Sequence, residues 1–287
     1  MSTSTDRVDA AYARCEQITA HEAKNFAYGI RLLSGEKRRA MSALYAFARR
    51  VDDVGDGPVA TADKLATLAS IHVQIDELGN AQPGDDPVLV ALGDALGRFP
   101  IPRGALHELV TGCEMDCRQQ RYETFEDLAV YCRCVAGSIG RLSLGVFSST
   151  DPGRAPGLAD TLGIALQVTN ILRDIVEDRD VMGRIYLPEE DMRRFGCALD
   201  ASGPREALVD LVRFEAGRAR HRYADGLGLL ELLDHRSRAC VAAMAGIYLR
   251  LLGRIERDPL AVLERRVSVP TWEKAWVATR SLTGAGA

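Results

Sequence analysis

Five polar side chains stand at spacings that could hold a cation. In Tyr45-Ala-Phe-Ala-Arg-Arg-Val-Asp-Asp-Val-Gly-Asp56, Asp52 and Asp56 lie four apart, so a helix stacks them on one face. Two carboxylates placed so repel by roughly a few tenths of a kcal/mol and gain no packing in return, so a cation is the natural reason to keep the pair. In Gln167-Val-Thr-Asn-Ile-Leu-Arg-Asp-Ile-Val-Glu-Asp178, Asn170, Asp174 and Asp178 repeat at four and drift by about 40° per step. Their neighbours Ile171, Leu172, Ile175 and Val176 are apolar. This ladder therefore rides a packed helix, where unpaired acids are costly. Hard oxygen donors on one face suit magnesium, which keeps waters, takes one or two carboxylates and leaves room for substrate phosphates. Two such ladders, facing each other across a helical bundle, could hold a cluster of magnesium ions with a diphosphate.

Arginine is the natural partner of phosphate oxygens, and several stand nearby: Arg49 three before Asp52, Arg173 beside Asp174, and Arg184 in the Gly183-Arg-Ile-Tyr-Leu-Pro188 loop. Arg49 and Arg173 could equally be ion-pair partners of the neighbouring acids. A lone D-x-x-x-D is commonly a solvated face, so the second ladder, set among apolar residues, carries the argument. Gly55-Asp-Gly-Pro-Val-Ala60 formally matches a dinucleotide fingerprint but follows a helix instead of a strand, so no reduced-nicotinamide site is expected. His21, His72, His107, His221 and His235 read as isolated helix or surface residues. Cys113/Cys117 and Cys132/Cys134 lack zinc-site spacing, and the seven scattered cysteines read as buried, reduced side chains.

The elements that must position the ladders are helices. Apolar residues recur at three and four, as in Ala40, Leu44, Phe47 and Val51 or Leu158, Leu162, Ala165, Val168 and Leu172, and Val267 to Val269 is the nearest thing to a strand. Breaks are expected at Gly79 to Pro87, Phe99 to Gly104, Asp151 to Gly157, Gly183 to Pro188 and Asp200 to Pro204, with Ser2 to Thr5 a frayed start. No low-complexity linker separates them, so residues 1–287 read as one all-α domain. With 36 Lys+Arg against 40 Asp+Glu, the formal charge is −4, which speaks against nucleic acid as a partner. Neither a secretory leader nor a transmembrane segment is apparent, so a cytoplasmic protein is expected.

With both ladders and the Gly183 to Pro188 loop in hand, the sequence resembles the squalene and phytoene synthase family of head-to-head prenyl synthases. The likeness runs from Lys24-Asn-Phe-Ala-Tyr28 through Tyr45 to Asp56 and Tyr131-Cys-Arg-Cys-Val-Ala-Gly-Ser-Ile-Gly140 to Tyr248 and Arg265. It implies an isoprenoid-synthase helical bundle enclosing a central cavity, with magnesium held by Asp52, Asp56, Asn170, Asp174 and Asp178. It further implies diphosphate contacts from Lys24, Arg49, Arg173, Tyr248 and Arg265, and a cavity lined by Phe26, Tyr45 and Gln167. Asn25 stands where the family often carries a Ser. Prenyl diphosphates are the implied substrates, and Tyr45 or the released diphosphate the implied base.

Within the family, Lys24 to Leu33, Gly140-Arg-Leu-Ser143 and Asn170 to Asp174 look most like bacterial presqualene diphosphate synthases of squalene and hopanoid pathways, which join two farnesyl diphosphates. Arg121-Tyr-Glu-Thr-Phe125 and the Val135-Ala-Gly137 segment are shared with phytoene synthases, which join two geranylgeranyl diphosphates. A squalene or dehydrosqualene synthase is a further alternative; the eukaryotic type fits less well, for want of a carboxy-terminal anchor and a reductant site. A catalytically silent helical assembly factor would show a damaged ladder, and a terpene cyclase a Ser or Thr between the acids of its second motif. Transient contact of a greasy product with a bilayer, and handover to downstream squalene-pathway enzymes, go with the resemblance.

Overall fold

A computed structural model describes residues 4–23, 25–78 and 86–283. Fourteen α-helices follow one another, and no strand forms among the described residues. They are α1 (Ser4–Glu22), α2 (Phe26–Ile30), α3 (Gly35–Asp56), α4 (Thr61–Glu77), α5 (Pro87–Arg98), α6 (Arg103–Cys117) and α7 (Phe125–Cys132). Then come α8 (Ser138–Phe147), α9 (Ala155–Asp180), α10 (Glu189–Arg194), α11 (Arg205–Gly226), α12 (His235–Arg257), α13 (Ala261–Glu264) and α14 (Thr271–Leu282). A π-helical turn, Arg133–Gly137, joins α7 to α8. One continuous apolar cluster runs from Ala11 on α1 to Val277 on α14.

Helix ends follow local chemistry more closely than glycine and proline positions do. The break expected over Asp151 to Gly157 is shorter, because Asp151 Oδ1 accepts from Gly153 N and Arg154 N, and Pro156, with no amide hydrogen to lose, starts α9. Gly104 likewise falls inside α6, and α1 begins at Ser4, within the stretch expected to fray. Most of the Gly79 to Pro87 connection lies outside the described residues. All seven cysteines are buried free thiols. Two histidines are not isolated as expected: His72 on α4 and His107 on α6 stack with ring centroids 5.0 Å apart. Helical periodicity brings them together across two elements that the sequence leaves unconnected.

Long α3 and α9 carry the two ladders, and a few polar ties fix their surroundings. Arg141 on α8 donates to both carboxylate oxygens of Glu108 on α6, at 2.9 and 2.7 Å, and to Asp160 on α9 at 2.7 Å. Buried Asp191 on α10 pairs with Arg218 on α11, which anchors the loop leaving α9. Gly183 in that loop adopts φ +67, a conformation that favours glycine.

The π turn presses closely on α9. A Cβ added at Gly163 would sit 2.6 Å from Gly137 N and 2.7 Å from Ala136 C, both backbone atoms. Gly163→Ala is therefore expected to cost about 1–3 kcal/mol, read as a lower thermal midpoint, with activity falling as α9 is displaced. An unchanged midpoint would mean that the helix and the π turn can part freely.

Candidate active site

On α3, Leu44, Phe47 and Val51 are buried, whereas Tyr45, Arg49, Asp52 and Asp56 stay accessible along the other side. On α9, Val168, Ile171, Leu172 and Ile175 are buried, and Gln167, Asn170, Arg173, Asp174 and Asp178 are partly accessible. Water reaches Asp52, yet protein crowds it enough that desolvation, reinforced by the charge of Asp56, pushes its carboxyl up to about 7. A small pocket lined by Ile175, Asp178, Arg184 and Tyr186 opens at the end of the second ladder. Burial, then the charge of Asp174, likewise pushes Asp178 up to about 7.

Between the ladders sits an acid that the sequence reading missed. Asp116 on α6 accepts from Tyr186 Oη at 2.7 Å and Tyr131 Oη at 3.0 Å. Burial raises it to about 6, although Arg184 and the two hydroxyls pull it down. Its charge acts on Asp52 and Asp178 alike. Cys113, one turn earlier, donates through Sγ to Asp52 Oδ1 at 3.6 Å. Rings of Tyr131 and Tyr186, 5.1 Å apart, close the back of this corner. The only sequence signal for Asp116 is an acid set among Cys113, Met115 and Cys117 on a helix that must pack.

Cations complete the site. Arg184 donates to Asp56 Oδ1 at 2.9 Å and to the Gly55 carbonyl at 3.1 Å, so the loop after α9 is tied to the end of α3. Arg173 chelates its neighbour Asp174, with Nε to Oδ1 at 2.8 Å. Arg49 pairs at 2.6 Å with Asp53, the acid between the ladder rungs. Arg265, expected at the diphosphate, lines one cavity with Arg254, Arg257 and Arg266, and Arg266 reaches from it to the ladder. Its guanidinium lies 3.1 Å from Asp174 Oδ1 and 3.2 Å from Glu177 Oε2. The chain is extended at Arg265. Lys24 lies outside the described residues.

Phe26, Tyr45 and Tyr248 meet as a trio from α2, α3 and α12, with Phe26 6.3 Å from each of the other rings. Burial pushes Tyr45 up to about 12, so at neutral pH its phenol is a donor and not a base. Asn170 Nδ2 donates to Gln167 Oε1 at 3.3 Å, which leaves Asn170 Oδ1 buried without a partner. Asn25 Oδ1 at the start of α2 is in the same condition.

A helical bundle that sets two acidic ladders about a shared acid, Asp116, with arginines on their carboxylates, fits an enzyme that condenses prenyl diphosphates. The chain belongs to the squalene/phytoene synthase family, whose model matches residues 19–273. Enzymes of this family condense prenyl diphosphates head to head. The chain is 46% identical over 281 residues to a phytoene synthase of Mycobacterium tuberculosis, covering 96% of this chain and 91% of that one. It superposes on a dehydrosqualene synthase in complex with ligand at a TM-score of 0.88, with 30% identity over 98% of this chain and 99% of that one. A squalene synthase from Alicyclobacillus acidocaldarius follows it at a TM-score of 0.79, with 28% identity over 87% and 94% of the two chains. No helix among the described residues is long and apolar enough to cross a membrane.

The raised carboxyls carry a sign. Between the ordinary aspartate value near 4 and the folded value of about 7, the folded state holds protons that the unfolded state has lost, so stability from Asp178 falls as pH rises through that window. Asp178→Asn is expected to stabilise the metal-free protein at pH 8 by on the order of 1–2 kcal/mol, discounted for partial solvent access, with the gap narrowing towards pH 4. Denaturant melts of wild type and variant at both pH values measure it. A variant less stable at pH 8 would contradict the repulsion.

Proposed function

We propose that this protein is a phytoene synthase, which joins two geranylgeranyl diphosphates head to head and releases both diphosphates. The observation that carries the choice of substrate is the 46% identity to a phytoene synthase over 96% of this chain. This replaces the farnesyl-based presqualene diphosphate reading drawn from Lys24 to Leu33, Gly140 to Ser143 and Asn170 to Asp174. Those segments belong to the shared machinery and do not report prenyl length. The close superposition on a dehydrosqualene synthase keeps the fifteen-carbon substrate as the second reading.

Magnesium suits the donor set. Asp52 and Asp178 carry charge at a cost in a crowded cleft, and the orphaned Asn170 Oδ1 is a neutral hard donor on the same stripe as Asp174 and Asp178. Among the described residues no three His, Cys, Asp or Glu side chains converge as a ready-made cage. An ion that keeps waters and takes substrate oxygens asks for less than a cage. Asp52 and Asp56 would hold it on α3, and Asn170, Asp174 and Asp178 on α9. When bound, magnesium neutralises the charge gathering on a departing diphosphate.

The chain's own residues do the rest. Arg173 and Arg266, which hold Asp174, would turn to diphosphate oxygens once the carboxylate has a metal partner, and Arg184 and Arg49, paired with Asp56 and Asp53, would serve from the first ladder. The C–O bond of one substrate breaks and its electron pair leaves with the diphosphate. The resulting allylic cation bonds to the double bond of the second substrate, and proton loss closes a cyclopropane. Breaking the second C–O bond, rearrangement and loss of another proton give the hydrocarbon, with no reductant consumed. Phe26, Tyr45 and Tyr248 would shield the cation from water. With the Tyr45 phenol held protonated, the released diphosphate is the better base.

Purified protein with magnesium should consume geranylgeranyl diphosphate to a forty-carbon hydrocarbon, identified by mass spectrometry, and Asp52→Ala and Asp174→Ala should each lose about 10²-fold or more in kcat. Preference for farnesyl diphosphate would restore the fifteen-carbon reading; inertness to both would point to the silent relative. Arg266→Ala should lower kcat/KM by about tenfold or more, and Arg265→Ala by less. The reverse order would put the register of this segment in doubt.

A further inference from the structure

Both tryptophans of the chain sit on α14, one turn apart and turned away from the core: Trp272 is 72% exposed and Trp276 43%. The opposite side of the helix, with Glu273, Val277, Ala278 and Ser281, is buried. Glu273 pins the helix to α12, accepting from Arg250 at 2.9 Å and Arg254 at 2.5 Å. Indoles are among the most buried side chains on average, so an adjacent pair left outside asks for an occupant.

The surroundings of the pair say which. Guanidiniums of Arg250 and Arg280 both lie 4.7 Å from the centre of the Trp276 ring. Beside the start of α14 opens a cavity of about 330 Å³ lined by Arg254, Arg257, Arg265 and Arg266, with Ser268 and a single acid, Asp258. Arg254 joins the two features, for it lines the cavity and also holds Glu273, and its Nε is buried without a partner. Indoles prefer the headgroup level of a bilayer, and a fork of guanidiniums matches phosphate oxygens. A second copy of the chain is a poor occupant, because a two-fold contact through this face would set arginines against arginines.

We propose that α14 and the arginine cavity beside it form a docking face for a bilayer containing anionic phospholipid. Trp272 and Trp276 enter the headgroup layer and a lipid phosphate sits among Arg254, Arg257 and Arg265. The inference is independent of which prenyl diphosphate is the substrate, so either can fail alone.

Because the chain has no other tryptophan, emission excited beyond the absorption of tyrosine reports on this face alone. Vesicles of phosphatidylcholine containing phosphatidylglycerol should shift the emission to the blue and protect it from acrylamide, whereas phosphatidylcholine alone should do neither. Trp272→Ala/Arg257→Ala should reduce co-sedimentation with the anionic vesicles by about tenfold or more while turnover of detergent-dispersed substrate persists. Unchanged emission with both vesicles, or equal binding to both, overturns the proposal. A blue shift that follows protein concentration without lipid also overturns it, since the face would then be a protein interface.

Discussion

Like charge held in a crowded cleft is the constraint around which this molecule is arranged. Asp52, Asp116 and Asp178 come from three helices, and each feels another acid as well as its own desolvation. Such a cluster is tolerated because the rest of the bundle is over-determined: Arg184 spans from the loop after α9 to the end of α3, and hydroxyls of Tyr131 and Tyr186 hold Asp116. Most small proteins would disperse this charge to the surface. Here the packing of α3, α6 and α9 concentrates it, at a cost that a divalent cation and a diphosphate would remove together.

That economy explains the odd condition of the arginines. Arg173 and Arg266 pair with Asp174, Arg184 with Asp56, and Arg49 with Asp53. Each is a charge-assisted contact of modest worth that a ligand could exchange. On the proposed function, the cations that would meet a departing diphosphate are paired with the acids that would hold its metal. Exchange of partners, with little movement of backbone, would convert one arrangement into the other.

Much of this was legible in the sequence because helices repeat. Spacing of four placed Asp52 with Asp56 and Asn170 with Asp174 and Asp178, and apolar neighbours showed that α9 is packed. What escaped depended on tertiary position or on the phase of irregular chain. Asp116 is one acid on α6, without a repeat to mark it, and gains meaning only when α6 lies against α3. Arg266 lies beside Arg265 in irregular chain, where no helical repeat marks which of two adjacent arginines reaches the ladder. The stacked His72 and His107 come from two helices whose mutual rotation no periodicity reveals. Prenyl length is harder to read for a different reason: on the proposed function, the polar segments that suggest fifteen carbons would handle the diphosphate, which is common to both substrates.

The central claim, that the ladders bind magnesium and diphosphate as one unit, is tested most directly by calorimetric titration of inorganic diphosphate with and without magnesium, in two buffers of different ionisation enthalpy. Tight binding is expected only when both are present, with net release of protons near pH 7 as the raised carboxyls of Asp52 and Asp178 ionise against the metal. Equal binding of diphosphate without magnesium, or binding with no proton release, would contradict it.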